Sequence, residues 1–528
     1  MLTLCDSRRS GDPWLRITFV LASIFFIIFS YYSILRYLSL NATGFDLGIY
    51  SSALFNAIHG GLFYTNLLNE SYLGNHFSPF IFFLVPFFYI YAHNATLLVL
   101  QAFFISFGAI PLYLSYRIVI PKIEHRIYGI FLVLVYEFSP ISIGPISFDF
   151  HLMALMPFFY LFAIFFFLSR RMVPFYISII AIVSIHAFFA IIVIFLITSI
   201  YISKYARRGW IREFINRKRE GLAVIFSFFI TVVALIGYLL FAEHMKSVIN
   251  GSSMQITGVQ SFLVYLKNEY NTSFSLKMLL FSSGSKFELL VLAILGGGFL
   301  AILSPLALFP VIPFFLFSAF SKNTAYYTAG YQYTAMFSPM IFSAAVFSLK
   351  KIFEGIRKIR FPKARIKMVI VVILVGVLAF NYAMSPISPD PVHIQSGNIT
   401  SISEFHENNT SRALFLLRDN INSSSLILTQ NNLYPQFSKF PDAYLLYSYS
   451  LTGNLTNLLE RNFTFVIADS YSPFYNLSDL VGISMRELVH RLSSSDYGYY
   501  FNEYGIIVLK YHYSGPEYIM VHNRLVPV

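Results

Sequence analysis

The chain reads as a series of long apolar runs up to about Pro386 and as shorter ones, broken by polar positions, after it. A membrane-crossing helix needs about 20 mostly apolar residues. The first run, Ile17 to Leu38, meets that length. It is too long for a signal-peptide core and has no small-residue cleavage site, so it is expected to be an uncleaved anchor. Ten further spans are expected at approximately 96–117, 127–143, 151–169, 173–185, 187–203, 221–241, 287–303, 305–320, 335–349 and 368–385. The stretch 173–203 lies between two basic flanks and must cross twice, bending near His186, or not at all. The run "FSPFIFFLVPFFYIYAHNAT" is expected to be a juxtamembrane or re-entrant helix interrupted by Pro86 against the outer leaflet, which leaves 39–95 as one large outer loop.

After the proline-rich "SPISPDPVHIQSGN" the pattern changes to helix near 402–420, strand "SLILT", strand "AYLLYS", helix near 455–461, strand "FTFVIADS", helix near 484–494 and a Tyr- and Gly-rich hairpin ending in "GIIVLKY". Such alternation predicts a small α/β sandwich with a largely parallel sheet. The fold class is therefore mainly α: a polytopic membrane helical bundle, residues 1–386, followed by a soluble extracytoplasmic α/β domain, residues 387–528.

Composition agrees. The 528 residues are 57% hydrophobic and 12% charged, against about 25% charged in soluble proteins. The single cysteine, Cys5, rules out an internal disulfide.

Charge sets the orientation. The excess of 37 Lys and Arg over 25 Asp and Glu is concentrated in five segments: the N-terminal tail, 117–126, Arg170 and Arg171, "SKYARRGWIREFINRKRE" and "LKKIFEGIRKIRFPKARIK". Basic loops stay in the cytoplasm, so the excess needs no nucleic-acid partner. Sequons for N-glycosylation start at Asn41, Asn69, Asn94, Asn250, Asn271, Asn398, Asn408, Asn409, Asn422, Asn454, Asn462 and Asn476, and none falls in a basic segment. They are candidate modification sites on the outer face. Both signals predict a multi-pass protein of the cell membrane with the N-terminus in the cytoplasm and the tail domain outside.

The polar residues that this topology gathers on the outer side are Asp46, His59, Glu70 and His76 in the large loop, Asp149 and His151 in "SFDFH", His186 at a bend, and Lys322, Tyr331 and Gln332 in "SKNTAYYTAGYQYTAMF". Charge near a bilayer is costly, which draws attention to them. Asp46 and Asp149 each have a simpler reading as a helix N-cap, and Gly60 reads as the stop of the helix after Asp46. Asp149 and His151 are the candidate ligands for a divalent metal, but no zinc spacing, serine elbow, P-loop or paired CxxC is present.

The stretches "GFDLGIYSSALFNAIHGG", "GNHFSPFIFFLVPFFYIY", "LLVLQAFFISFGAIPLYL", "SFDFHLMAL", "ILTQNNLYPQFSKF" and "FVIADS" resemble a family of archaeal and bacterial integral membrane proteins known as a domain of unknown function, over nearly the whole chain. That family looks related to the GT-C glycosyltransferases, which include protein mannosyltransferases and oligosaccharyltransferases. The resemblance implies transfer of a sugar from a polyprenyl-phosphate donor to a glycan, lipid or protein acceptor. Asp46 would then be the general base, with His59, His76, Asp149, His151, His186, Lys322, Tyr331 and Gln332 as substrate-binding candidates and a divalent metal as the candidate cofactor. Two positions depart from the family pattern: "SIHAF" at His186 replaces a Lys-Glu pair, and Gln436 replaces a histidine. The competing expectations are a transporter or flippase and a surface assembly protein.

Overall fold

The computed structural model describes residues 12–205, 218–249, 275–356, 363–391, 399–446, 461–477 and 483–528. The first helix, Pro13–Leu38, starts where Asp12 caps the Trp14 N–H (3.1 Å) and proline occupies the first turn. At 1.5 Å per residue it is about 39 Å long, enough to cross a hydrocarbon layer of about 30 Å. The second Asp12 oxygen accepts from Arg117 Nη1 (3.1 Å) and Arg126 Nη1 (2.5 Å). At the other end of the same helix, Arg36 meets Asp149 and Tyr37 meets Gln436 of the tail domain. The basic segment 117–126 and the sequon-bearing loop thus lie at opposite ends of one helix.

Four helices among the described residues are long and apolar enough to span: Pro13–Leu38, Asn94–Val119, Phe228–Ile249 and Ser283–Ala301. The expected span at 127–143 is instead a bent pair, Ile123–Phe138 and Pro140–Ser147, turned by 50° at the proline. The expected spans at 151–203, 305–320 and 368–385 correspond to apolar helices of 10–17 residues, including Met172–Ile185 and Phe189–Ser203, which break at His186. The 335–349 run forms Ser338–Ile356, buried over most of its length.

The helix Ser283–Ala301 is itself broken by a π-turn, Ile294–Gly298, in which Gly297 adopts φ 144°. A break in a lipid-embedded helix frees backbone carbonyls that need partners. Asn381 supplies them, its Nδ2 donating to Gly296 O (3.3 Å) and Val135 O (3.1 Å), while Ser139 Oγ donates to Gly296 O (2.9 Å).

The run expected to lie along the membrane forms Ile81–Ile90, about 15 Å long and too short to cross. Pro86 lies inside this helix, which continues for four residues beyond it, rather than interrupting it. The outer loop also holds a short hairpin, β1 (Tyr64–Thr65) with β2 (Glu70–Ser71).

The tail domain is a seven-stranded sheet in the order β4-β3-β5-β7-β6-β8-β9. Strands β3 (Ile427–Thr429), β4 (Ala443–Leu445) and β5 (Phe465–Asp469) are parallel. β7 (Ile506–Tyr511) runs antiparallel to both β5 and β6 (Tyr497–Glu503), and β8 (Tyr518–Val521) pairs antiparallel with β9 (Arg524–Pro527). The sheet is therefore mixed rather than largely parallel: β6 and β8 also pair parallel, at Phe501 and Tyr518, while the hairpins β6–β7 and β8–β9 and the pair β5–β7 are antiparallel.

Alternation along β5 builds two layers. Phe465 and Ile467 join the core with Ala413, Leu414 and Leu417 of the helix Asn409–Asn420. Val466 and Ala468 face Met485, Leu488, Val489 and Leu492, the apolar stripe of Met485–Ser493. The expected helix near 402–420 starts only at Asn409, where Asn408 and Ser411 form a reciprocal cap. The helix expected near 455–461 falls mostly outside the described residues.

Candidate active site

Asp46 lies in a π-turn, Gly44–Gly48, that leads into the helix Ile49–Ile58. It caps nothing; the helix begins three residues later, and Gly60 ends it at φ 92° as expected. Single π-turns are rare and concentrate at functional positions, since they widen one turn and re-aim a side chain.

Asp46 faces a cavity of about 220 Å³ lined also by His76, His151, Tyr331 and Gln332 and by the rings of Phe45, Tyr50, Tyr72, Phe148 and Tyr333. The volume is below the range of about 300–1,000 Å³ typical of drug-sized ligands, so it suits one small ring-sized group. Three chain segments far apart in sequence supply its polar atoms.

Burial raises the Asp46 carboxyl to about 8, the nearby Asp149 carboxylate adds to the rise, and the Arg36 guanidinium opposes it. The side chain nevertheless keeps 20% of its surface open to the cavity. His151 approaches from the opposite wall, its Nε2 3.9 Å from Asp46 Oδ1. The Met153 N–H donates to His151 Nδ1 (3.2 Å), which leaves the imidazole proton on Nε2. Burial, and then His76, push His151 down to about 3. It is a neutral donor toward Asp46 or a bound hydroxyl, and Asp46 is the group left to accept a proton.

Asp149 is fully buried just behind the cavity wall. One oxygen pairs with Arg36 Nη1 and the other accepts from Thr43 N (2.7 Å) and Thr43 Oγ1 (2.5 Å). It caps no helix of its own; the turn Leu152–Leu155 is capped by His151. Both Asp149 oxygens are thus engaged by Arg36 and Thr43. Among the described residues no three His, Cys, Asp or Glu are placed to share an ion.

His186 stands behind His76, ring centroids 5.5 Å apart, and accepts from the Phe188 N–H at Nδ1 (3.2 Å). It does not line the cavity. Gln332 is 4% exposed and its Oε1 has no partner among the described residues, while the Tyr331 ring packs on Phe148 at 4.6 Å. Lys322 is exposed on the turn and His59 bonds back to Phe55 O (2.7 Å), so neither reaches the cavity. Glu70 accepts from Asn75 Nδ2 (2.9 Å).

Of the sequons, Asn41, Asn69, Asn408, Asn409, Asn422, Asn462 and Asn476 are exposed. Asn94 is not: it is 1% exposed and its amide donates to Pro435 O (2.6 Å), so in this fold its nitrogen is not open to a glycan. Asn250, Asn271, Asn398 and Asn454 lie outside the described residues.

Sequence reasoning missed Arg36 and Thr43. A signal for Arg36 exists: it is a lone basic residue at the end of the first span opposite to the basic segments, where positive charge is disfavoured.

A search of curated proteins returned no match to this sequence. Residues 36–508 match the family described as a predicted membrane protein, DUF2079, a range that takes in both the bundle and most of the tail domain. The chain belongs to this family of predicted membrane proteins.

Proposed function

We propose that the chain is a GT-C-type membrane glycosyltransferase that moves a sugar from a polyprenyl-phosphate donor to a hydroxyl acceptor on the extracytoplasmic face. The carrying observation is Asp46: a partly open carboxyl on a π-turn, in a small aromatic cavity, with a neutral imidazole donor opposite. A hydroxyl is a weak nucleophile and needs a base as it attacks. The acceptor O–H proton passes to the ionised Asp46 carboxylate, the acceptor oxygen bonds to the anomeric carbon, and the anomeric C–O bond breaks. The lipid phosphate leaves with that electron pair.

Developing charge on the phosphate calls for a cation or polar hydrogens. Arg36, whose guanidinium stands 5.7 Å from the centre of the cavity-lining Phe148 ring, is the cation next to the site. The same reading takes eleven crossings, a cytoplasmic N-terminus and an extracytoplasmic tail. A transporter would use interrupted helices, and the described residues include such breaks, but Asn381 and Ser139 already satisfy carbonyls freed where the breaks at Pro140 and Gly297 meet.

The test is transfer of labelled sugar from a polyprenyl-phosphate donor by the reconstituted protein. Asp46→Asn is expected to abolish it while the protein remains folded. Undiminished transfer by that variant removes Asp46 as the base.

A further inference from the structure

The sequence "QNNLYPQFSKF" belongs to the tail domain, yet its contacts are with the loop that carries Asp46. Gly44 N donates to Asn431 O (2.8 Å) and to Asn431 Oδ1 (2.9 Å). The Tyr434 ring lies where side chains would otherwise stand: a Cβ built on Gly48 meets its Cδ1 at 2.7 Å, and one built on Gly44 meets its Cβ at 3.1 Å. Nearby, Ser438 Oγ donates to Ser51 Oγ (3.0 Å), and Lys439 Nζ to Ala92 O (2.9 Å).

The tail holds this segment rigidly from behind. Asp469, at the end of β5, accepts from Asn432 Nδ2 (3.0 Å). Gln430 donates to Asp469 O (3.0 Å) and to Asn432 Oδ1 (2.8 Å), and accepts from Asp469 N (3.1 Å). Four bonds fix the residues on both sides of Asn431, which leaves Asn431 projecting at Gly44. The π-turn is thus gripped on one side by Asp149 through Thr43 and on the other by Asn431 and Tyr434. An uncommon backbone conformation persists only where its surroundings over-determine it.

We propose that the tail domain is a working part of the Asp46 site, with Asn431 and Tyr434 as positioning residues that hold the π-turn, so that the cavity is complete only with the tail docked. Neither residue lines the cavity, so each acts through the turn. This extends the reading of Asp46 but does not depend on the reaction, because the turn's geometry can be followed without a sugar donor.

The experiment uses the full chain in lipid nanodiscs and an apolar carbodiimide, which couples to protonated carboxyls, with labelling of Asp46 read by peptide mass spectrometry across pH. The ionisable neighbours of Asp46, which are Arg36, Asp149, His76, His151, Tyr50 and Tyr72, stay unchanged in every variant. Tyr434→Ala lets water reach the turn and is expected to lower the labelling midpoint by about one pH unit or more, with about half of the pH 7 labelling lost or more. Tyr434→Phe keeps the ring and is expected to keep the midpoint. An unmoved midpoint in Tyr434→Ala overturns the proposal even if its melting temperature falls, since the tyrosine would then serve stability alone. Should Tyr434→Ala not fold, Asn431→Ala decides: it deletes one acceptor and little packing, a lowered midpoint supports the proposal, and an unchanged one overturns it. Loss of transfer in Asp46→Asn is a separate result, so a failed base and a failed clamp are told apart.

Discussion

At neutral pH Asp46 is expected to hold its proton, which bears directly on the chemistry proposed for it. With a midpoint of about 8, about nine molecules in ten are protonated at pH 7 and about one in ten at pH 9. Burial is the main cause, the Asp149 carboxylate adds to it, and Arg36 works against it. Each cause can be removed singly. Asp149→Asn deletes the like charge and releases Arg36 from its pair, so the Asp46 midpoint should fall. Arg36→Gln deletes the opposing cation, so it should rise. Carbodiimide labelling of Asp46 between pH 5 and 10 reads all three proteins, and comparing them cancels the reagent's own pH dependence. If Asp46 is the base, transfer should climb about tenfold per pH unit below the midpoint and level off above it. A wild-type midpoint near 4, or an upward move in Asp149→Asn, would refute the electrostatic account of the site.

Three further outcomes follow from the same coordinates. Between the ordinary carboxylate value and about 8, the unfolded chain has lost a proton that the folded chain keeps, so wild-type stability falls as pH rises through that window. Asp46→Asn lacks this slope, and its melting temperature should gain on the wild type from pH 5 to pH 8; parallel curves would contradict the burial of Asp46. Glu137 is 1% exposed and neither carboxyl oxygen has a partner among the described residues, so Glu137→Met should stabilise the protein by about 1–3 kcal/mol, seen as a higher melting temperature in detergent. In a Cys5→Ser background, a cysteine at the exposed position Asn69 should react with an impermeant thiol reagent on intact cells, and one at the exposed position Lys122 only after the membrane is opened; labelling of both on intact cells would contradict the eleven-span topology.

Much of the architecture was legible because a bilayer imposes lengths. The first span, the return at Asn94–Val119 and the non-crossing run at Ile81–Ile90 follow from run length and flanking charge. The bend at Pro140 was not, because an apolar run shows no mark where its direction changes. In the tail, β3, β4 and β5 stand out as short apolar strands between polar breaks, whereas β8 and β9 are four residues each, the first half-buried and the second largely exposed, and patterned like loop.

The cavity was readable in part. Asp46, His76, His151, Tyr331 and Gln332 attract notice as polar groups in apolar surroundings, and the fold gathers them. Lys322 and His59 carry the same mark but satisfy it locally, in solvent or on their own helix. The Arg36–Asp149 pair joins residues 113 apart in sequence, a contact that no local pattern encodes. "GFDLG" looks like an ordinary helix start; its π-turn depends on Asn431 and Tyr434, almost 400 residues away.

The opening helix is pinned at both tips. Asp12 is tied by two arginines, Arg117 and Arg126, and Arg36 by the Asp149 carboxylate next to the Asp46 chamber. A rod fastened in this way can neither slide along its axis nor spin without breaking an ionic anchor, so the depth of the chamber relative to the lipid is set partly by a contact at the far side of the bilayer. Inserting one helical turn between Ile17 and Tyr31 should therefore disturb Arg36 and Asp46, although every residue of the pocket would remain in place in the sequence.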